Sequence, residues 1–417
     1  MQYSDRINYR LTNARKTPGW RLVALGVVLA ILVGFTARNL LTMRDNIDSP
    51  PEFDFQFFWI FGRVLQAGLN PYEQANLLPV AAQLGSSAEF VRELYCFHLP
   101  PTLFLFAPLG WFDIHTASLV WYVVNSAILL LDIVLLWKMF MQPSSGALLL
   151  VSAAMVMTFF PVRSNIVIGQ LDFLQLLTLL LFWRDRQRPR AGLWLALGMF
   201  VKPIMAILLL YVILRQRWRV LAAFIGSVIV LSALTILVFG STTFWSFFSL
   251  NPLSNMPASL YTEMVNQSLL AVILRVTQAD IAQASPIMNP VFLATAFILT
   301  AITMWITYQL SDHHDEWALA LVLSLSLLVY PKALWHYSSM LLVPLFLVWR
   351  DRHMIPGGVW TAAAFIGAIY LLVFVAKGEM SFLANMTAWI FFAGVCAGWL
   401  TQRSSPRIAV STASDAA

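Results

Sequence analysis

Long apolar runs separated by short knots of charge dominate this chain. The runs fall at 20–37, 116–137, 147–160, 166–183, 190–214, 219–240, 290–310, 317–330, 336–349, 356–376 and 382–400. Each has, or nearly has, the length a helix needs to cross a hydrocarbon layer. Acids and bases gather between them, as expected where ionisable groups are kept out of the apolar layer. The pattern predicts an all-α polytopic membrane protein.

Flanking charge sets the direction of each run. Arg184, Arg186, Arg188 and Arg190 precede the run at 190–214, and Arg215, Arg217 and Arg219 follow it. One straight crossing would put a basic cluster on the outer side, against the cytoplasmic bias of Lys and Arg. Proline cannot continue a helical ladder, so Lys202-Pro203 predicts a break and two short legs that dip in and return, with Lys202 at the tip. Counting that hairpin as two gives about twelve passes. Lys138, the arginines at 184–190 and 215–219, Arg350, Arg352, Arg403 and Arg407 then share the cytoplasmic side. Asp54, Asp172, the 241–288 segment and His336 share the other.

One transmembrane domain over 1–417 is therefore expected, with a cytoplasmic N-terminus at 1–19, outer loops at 38–112 and 241–288, and a cytoplasmic tail at 401–417. The basic N-terminal segment followed by about eighteen apolar residues reads as an uncleaved anchor. The connection from Arg38 to Pro100 is too long for a bare loop. Its apolar residues predict two helices lying in the membrane interface, with Gly68-Leu-Asn-Pro-Tyr72 as the turn between them.

Composition narrows the class further. Hydrophobic residues make up 59% and charged residues 11% of the chain, and mean hydropathy is +0.75, which excludes a soluble globule. The net charge of +6 reports cytoplasmic loops rather than a nucleic-acid partner. Cys96 and Cys396 are the two cysteines, and they imply no disulfide framework.

Several polar residues stand out against this background. Asp54 lies among aromatic residues just past the first run, where partial burial would tune a carboxylate for proton transfer; a solvated interfacial acid is the plainer alternative. Glu52 is its neighbour. Lys202 is a cation inside an apolar run, which must pair, face a polar cavity or snorkel to the interface. His336 opens a short helix, where it can donate to phosphate, move a proton or simply cap. Gln170 and Asp172 read as helix-capping residues on the residues alone. Arg163 and Arg275 are outward-side cations that suit a phosphate contact, with plain surface charge as the favoured alternative. His313 and His314, beside Asp312, Asp315 and Glu316, read as a solvated loop, and Asp132 is expected to pair within the bundle. His98 and Lys377 receive no role. No metal-ligand constellation is visible, and no cofactor is expected.

The ordered set Glu52-Phe-Asp54-Phe, Gly68-Leu-Asn-Pro-Tyr72, Phe97-His98-Leu-Pro100-Pro101, Gly169-Gln170-Leu-Asp172, Ala191-Gly192, Lys202-Pro203 and Tyr330-Pro331-Lys332 through Trp335-His336-Tyr337 resembles glycosyltransferase family 87, the polyprenyl-phosphate-mannose-dependent mannosyltransferases of the GT-C superfamily. The order is the specific feature, since each motif alone is weak. The resemblance implies a GT-C-type helical bundle in a bacterial plasma membrane with its site facing the periplasm or exterior. It implies an inverting transfer of a sugar, with mannose expected, from a polyprenyl-phosphate donor to a lipid-linked or cell-surface glycan acceptor. Asp54 would be the base and His336 a second catalytic group. Lys202, His336 and Lys332 would bind the donor phosphate, and Gln170, Asp172 and Glu52 would contact acceptor or sugar. In the family a serine often stands where Tyr330 does, and Lys332 adds a second cation. A transporter or lipid flippase is the alternative, although repeat-related halves with matching broken helices are not evident.

Overall fold

A computed structural model describes residues 19–51, 54–141, 146–249, 259–277, 289–375 and 379–404. Among these residues the protein is helical throughout, without a strand; Asn266 and Leu334 form one isolated bridge. The main helices are α1 (Gly19–Asp48), α2 (Phe55–Gln66), α3 (Gln74–Gln83), α4 (Ile114–Phe140), α5 (Gly146–Thr158), α6 (Phe160–Ile168), α7 (Asp172–Asp185), α8 (Ala191–Val201), α9 (Leu209–Leu214), α10 (Trp218–Phe239), α11 (Pro290–Gln309), α12 (Asp315–Val329), α13 (Leu342–Arg350), α14 (Gly358–Phe374) and α15 (Ser381–Ser404).

Among the described residues five helices are long and apolar enough to cross a membrane, or six if the bent pair α5 and α6 counts as one span. The expectation of about twelve passes is not confirmed by this smaller set of full-length spans, because several apolar runs are divided. Proline or glycine ends helices within them: α5 and α6 meet at a 61° bend just before Pro161, and α6 stops at Gly169, whose φ of 70° is left-handed. The chain is an integral membrane protein. α12 lies at its centre, with every residue from Trp317 to Leu328 buried, the mark of a helix that is apolar all round. α1 lies mostly exposed at the edge of the bundle.

The break at Lys202-Pro203 is present. α8 ends at Val201, Lys202 is extended (φ −148°, ψ 121°), and a 3-10 turn over Pro203–Leu208 leads into α9. A Cβ on Gly198 would lie 3.0 Å from Met205 Cε, so the chain folds back on itself there. Both ends of the hairpin meet: Arg217 Nη1 donates to the Arg186 carbonyl at 2.6 Å.

Asp312 and His313 are exposed, as expected of a solvated loop, but that meeting point corrects the reading for Asp315 and Glu316. Asp315 is 2% exposed and accepts from Arg186 Nε at 2.8 Å, Arg217 Nη2 at 2.7 Å and Tyr211 Oη at 2.8 Å, with Arg215 Nε 3.6 Å away. Glu316 pairs with Arg186 and Arg350. Once arginines crowd together at one end of an apolar bundle, a buried acid is needed to hold them. Asp132 is a second correction: it is fully buried on α4, and neither carboxyl oxygen has a hydrogen-bond partner among the described residues.

Between α1 and α4 the two expected helices form as α2 and α3, with Gly68 in a left-handed conformation at the turn. The aromatic face of α2 is buried, and its backbone touches the turn over Ala107–Trp111. A Cβ on Gly62 would sit 2.4 Å from the Phe106 carbonyl oxygen, and one on Gly110 would sit 2.2 Å from that of Gly62. Only glycine permits so close an approach.

Candidate functional site

α2 starts at Asp54, and the end of α6 lies beside it. The last carbonyls of a helix have no partner within the helix. Here Asn46 Nδ2 donates to Ile166 and Val167 carbonyls at 3.1 and 3.0 Å, Tyr122 Oη to that of Ile166 at 3.0 Å, and Trp121 Nε1 to that of Gly169 at 2.7 Å. These bonds fix Gly169 and Gln170 against α1 and α4. A Cβ on Gly169 would lie 3.0 Å from Phe55 Cβ, so the positive φ and the tight space require the same residue. Gln170 Nε2 then donates to Asp54 Oδ1.

Asp54 has φ 60° and ψ −78°, a conformation that costs a non-glycine residue about 1–3 kcal/mol. Its carbonyl accepts from Phe58 N at 3.1 Å and so begins α2, while its side chain makes no capping bond. Burial pushes its carboxyl up to about 6, against the pull of Lys202, the Gln170 bond and Lys332.

Asp172 sits behind this layer, fully buried. Its Oδ1 is 2.5 Å from Lys202 Nζ, and its Oδ2 is 3.1 Å from His336 Nδ1. With its amide nitrogen turned toward the acceptors, Asn165 donates to the Gln170 carbonyl at 3.0 Å and to Asp172 Oδ2 at 3.2 Å. Lys202 Nζ also lies over the Tyr337 ring, 3.8 Å from its centroid. The ring nitrogens of His336 make no aligned hydrogen bond among the described residues.

The Tyr330-Pro331-Lys332 turn is held from the side by Asn266-Gln267-Ser268. Asn266 Nδ2 and Ser268 Oγ donate to the Pro331 carbonyl at 3.0 and 2.9 Å, Gln267 N to that of Ala333 at 2.8 Å, and Trp335 N to that of Val265 at 2.9 Å. Lys332 Nζ lies 4.9 Å from the Phe97 ring centroid, with no carboxylate among the described residues at ion-pair distance. Burial brings its ammonium down to about 8, with Asp54 acting in the opposite sense.

These elements enclose a cavity of about 810 Å³ that Asp54, Gln170, Lys202, Lys332 and His336 all line. Asp172 supports its wall without lining it. The structure therefore gathers six of the seven residues singled out from sequence, and Glu52 lies outside the described residues. Arg163 and Arg275 are elsewhere: Arg163 reaches Asn39, and Arg275 donates to the Glu263 and Asn266 carbonyls.

His98, which the sequence left without a role, also lines the cavity. Phe58 and Phe106 meet its ring edge-on at centroid distances of 5.4 and 4.9 Å, and Tyr72 Oη donates to its carbonyl at 2.7 Å. Burial holds its imidazole down at about 3, reinforced by Lys332 and Lys202, so the ring is neutral at physiological pH. Its place within Phe97-His98-Leu-Pro100-Pro101 was the signal available. The cavity thus combines the carboxylates of Asp54 and Glu93, two cations and two imidazoles on a largely aromatic wall. That set can accept a proton and bind an anionic group carried on an apolar molecule.

Residues 97–331 match Glycosyltransferase family 87. No curated protein and no solved structure matches the chain. The family match spans more than half of the sequence, and the chain belongs to glycosyltransferase family 87.

Proposed function

We propose that this family member transfers a sugar, with mannose expected, from a polyprenyl-phosphate donor to a lipid-linked or cell-surface glycan, using the 810 Å³ cavity on the outer face of a bacterial plasma membrane. Family membership makes the protein a membrane glycosyltransferase; donor, sugar, acceptor and orientation are our reading. The observation that carries it is the placement of Asp54 in one cavity with Lys202, Lys332 and His336. A single displacement needs a base at the acceptor and positive charge at the departing phosphate.

In this mechanism the acceptor hydroxyl oxygen attacks the anomeric carbon as the bond from that carbon to the phosphate oxygen breaks, and configuration inverts. The proton passes to Asp54, and the phosphate leaves on its polyprenyl chain. A carboxyl raised to about 6 is a stronger base than an ordinary aspartate and is still mostly ionised at neutral pH. Lys332 has no carboxylate among the described residues at ion-pair distance and is the cation best placed to take the phosphate. Lys202 is already tied to Asp172 and adds field more than a new bond. His336, its ring nitrogens without aligned partners among the described residues, offers a donor to phosphate or sugar.

The purified protein in nanodiscs, given labelled sugar on defined polyprenyl phosphates, is expected to form a labelled glycan product. Folded protein that transfers from none of these donors would end this reading. Family membership favours it over transport; the flippase alternative predicts donor movement across the bilayer without product.

A further inference from the structure

The turn joining α7 to α8 carries a second cavity, at the opposite end of α8 from Lys202. With eleven residues in α8, the two ends are roughly 16 Å apart at the helical rise. The cavity holds about 260 Å³ and is lined by Arg184, Asp185, Arg186, Gln187, Arg188 and Arg190. Four arginines and one aspartate therefore line a small, mainly polar space.

The acid is already saturated. Asp185 is 1% exposed, and its Oδ1 accepts from Arg190 Nη2 at 2.7 Å; its Oδ2 accepts from Arg184 Nη2 at 3.1 Å and Trp194 Nε1 at 3.0 Å. Arg186 is held by Asp315 and Glu316, and its carbonyl is pinned by Arg217. Arg188 has no carboxylate among the described residues at ion-pair distance. The turn is thus fixed in place, and it carries positive charge that the protein does not neutralise.

We propose that this cavity is a phosphate site, filled by the phosphate of an anionic lipid headgroup or by free phosphate. Planar guanidinium groups around one small space suit a tetrahedral oxyanion. The turn joins two apolar helices, which places lipid headgroups within its reach, and basic pockets at helix ends are a usual seat for such groups. This site does not depend on the transferase reading.

The test is binding to the purified full-length protein in neutral detergent, with three probes: short-chain phosphatidylglycerol, short-chain phosphatidylcholine and inorganic phosphate. Phosphatidylglycerol is expected to bind and phosphatidylcholine to bind far less. The variant Arg188→Gln/Arg190→Gln is expected to weaken phosphatidylglycerol roughly thirtyfold, for two phosphate-facing arginines. Inorganic phosphate that displaces the lipid at equal concentration supports the site and names free phosphate as its ligand. Binding unchanged in the double variant, or equal for both lipids, overturns the proposal. If the double variant unfolds, Arg188→Gln decides alone, since it breaks no protein ion pair: unchanged phosphatidylglycerol binding overturns the site, and weakened binding supports it.

Discussion

Asp315 and Asp54 are both carboxylates set in an apolar bundle, and their surroundings are opposite in kind. Asp315 accepts from two arginines and a tyrosine, with a third arginine 3.6 Å away. Asp54 has one neutral amide donor, a strained backbone and an open cavity beside it. The first arrangement satisfies a buried charge and fixes hairpin ends in place. The second leaves a charge short of partners, and its carboxyl rises to about 6. Incomplete satisfaction beside a cavity, rather than burial itself, sets Asp54 apart; Asp132 is also buried without partners among the described residues but does not line that cavity.

The comparison can be broken most directly at its structural half. Asp315→Asn leaves Arg215 and Arg217 facing no carboxylate among the described residues, and Arg186 with Glu316 alone, and is expected to cost about 3–5 kcal/mol, as for removal of one partner from a buried ion pair. Thermal unfolding and folded yield would register this. An Asp315→Asn protein of normal stability but without transfer activity would reverse the two roles.

Asp54→Asn addresses the other half. Transfer should fall by about a hundredfold or more, the usual contribution of a positioned base, while the unfolding temperature and donor binding stay near those of the parent. Near-normal turnover would remove Asp54 from the mechanism.

Lys202 stands between the two kinds of charge. Lys202→Met should weaken donor binding, and it also strands Asp172 in the interior, so its stability should drop by a few kcal/mol. Adding Asp172→Leu should recover much of that stability without restoring donor affinity. Full recovery of binding in the double variant would make the pair purely structural and leave the phosphate to Lys332 and His336.

The smallest expected effect is a shift in pH dependence. Asp54 must be ionised to accept a proton, so the rate should fall as pH drops through about 6. The Gln170 bond favours the ionised form, hence Gln170→Met should move this limb upward, as read from transfer rates between pH 5 and 8. The sign for stability is opposite. A raised carboxyl holds its proton more tightly when folded, so its ionisation destabilises the fold; that cost is absent below the ordinary aspartate range and complete above about 6.

Much of this was legible in the chain. Charge on both sides of the 190–214 run and the proline within it predicted the break at Lys202, and the paired ends bear that out. Asp54, Gln170, Lys202, Lys332 and His336 were each visible as polar residues beside or within apolar runs, and they share a cavity. What pairs with what was not visible. Asp172 and Lys202 lie on different helices, and Arg186 and Asp315 are farther apart still in the chain; no periodicity encodes such contacts. Asp315 looked like part of a polar turn because local composition cannot tell a solvated acid from one covered by distant arginines. Pass counting from run length also reaches its limit where proline and glycine divide a run into legs shorter than a span.

The backbone contact between Gly62 and Gly110 has a bearing on how substrate preference can change. Side chains can adjust by rotamer, but two main chains in contact leave no slack, so α2 cannot slide toward the Ala107–Trp111 turn or be tilted by repacking its exposed face. Asp54 opens that helix and inherits its rigid placement. Altered acceptor choice in related sequences should therefore arise from exchanges along the aromatic wall, at positions such as Phe57 and Phe97, while Asp54 keeps its coordinates.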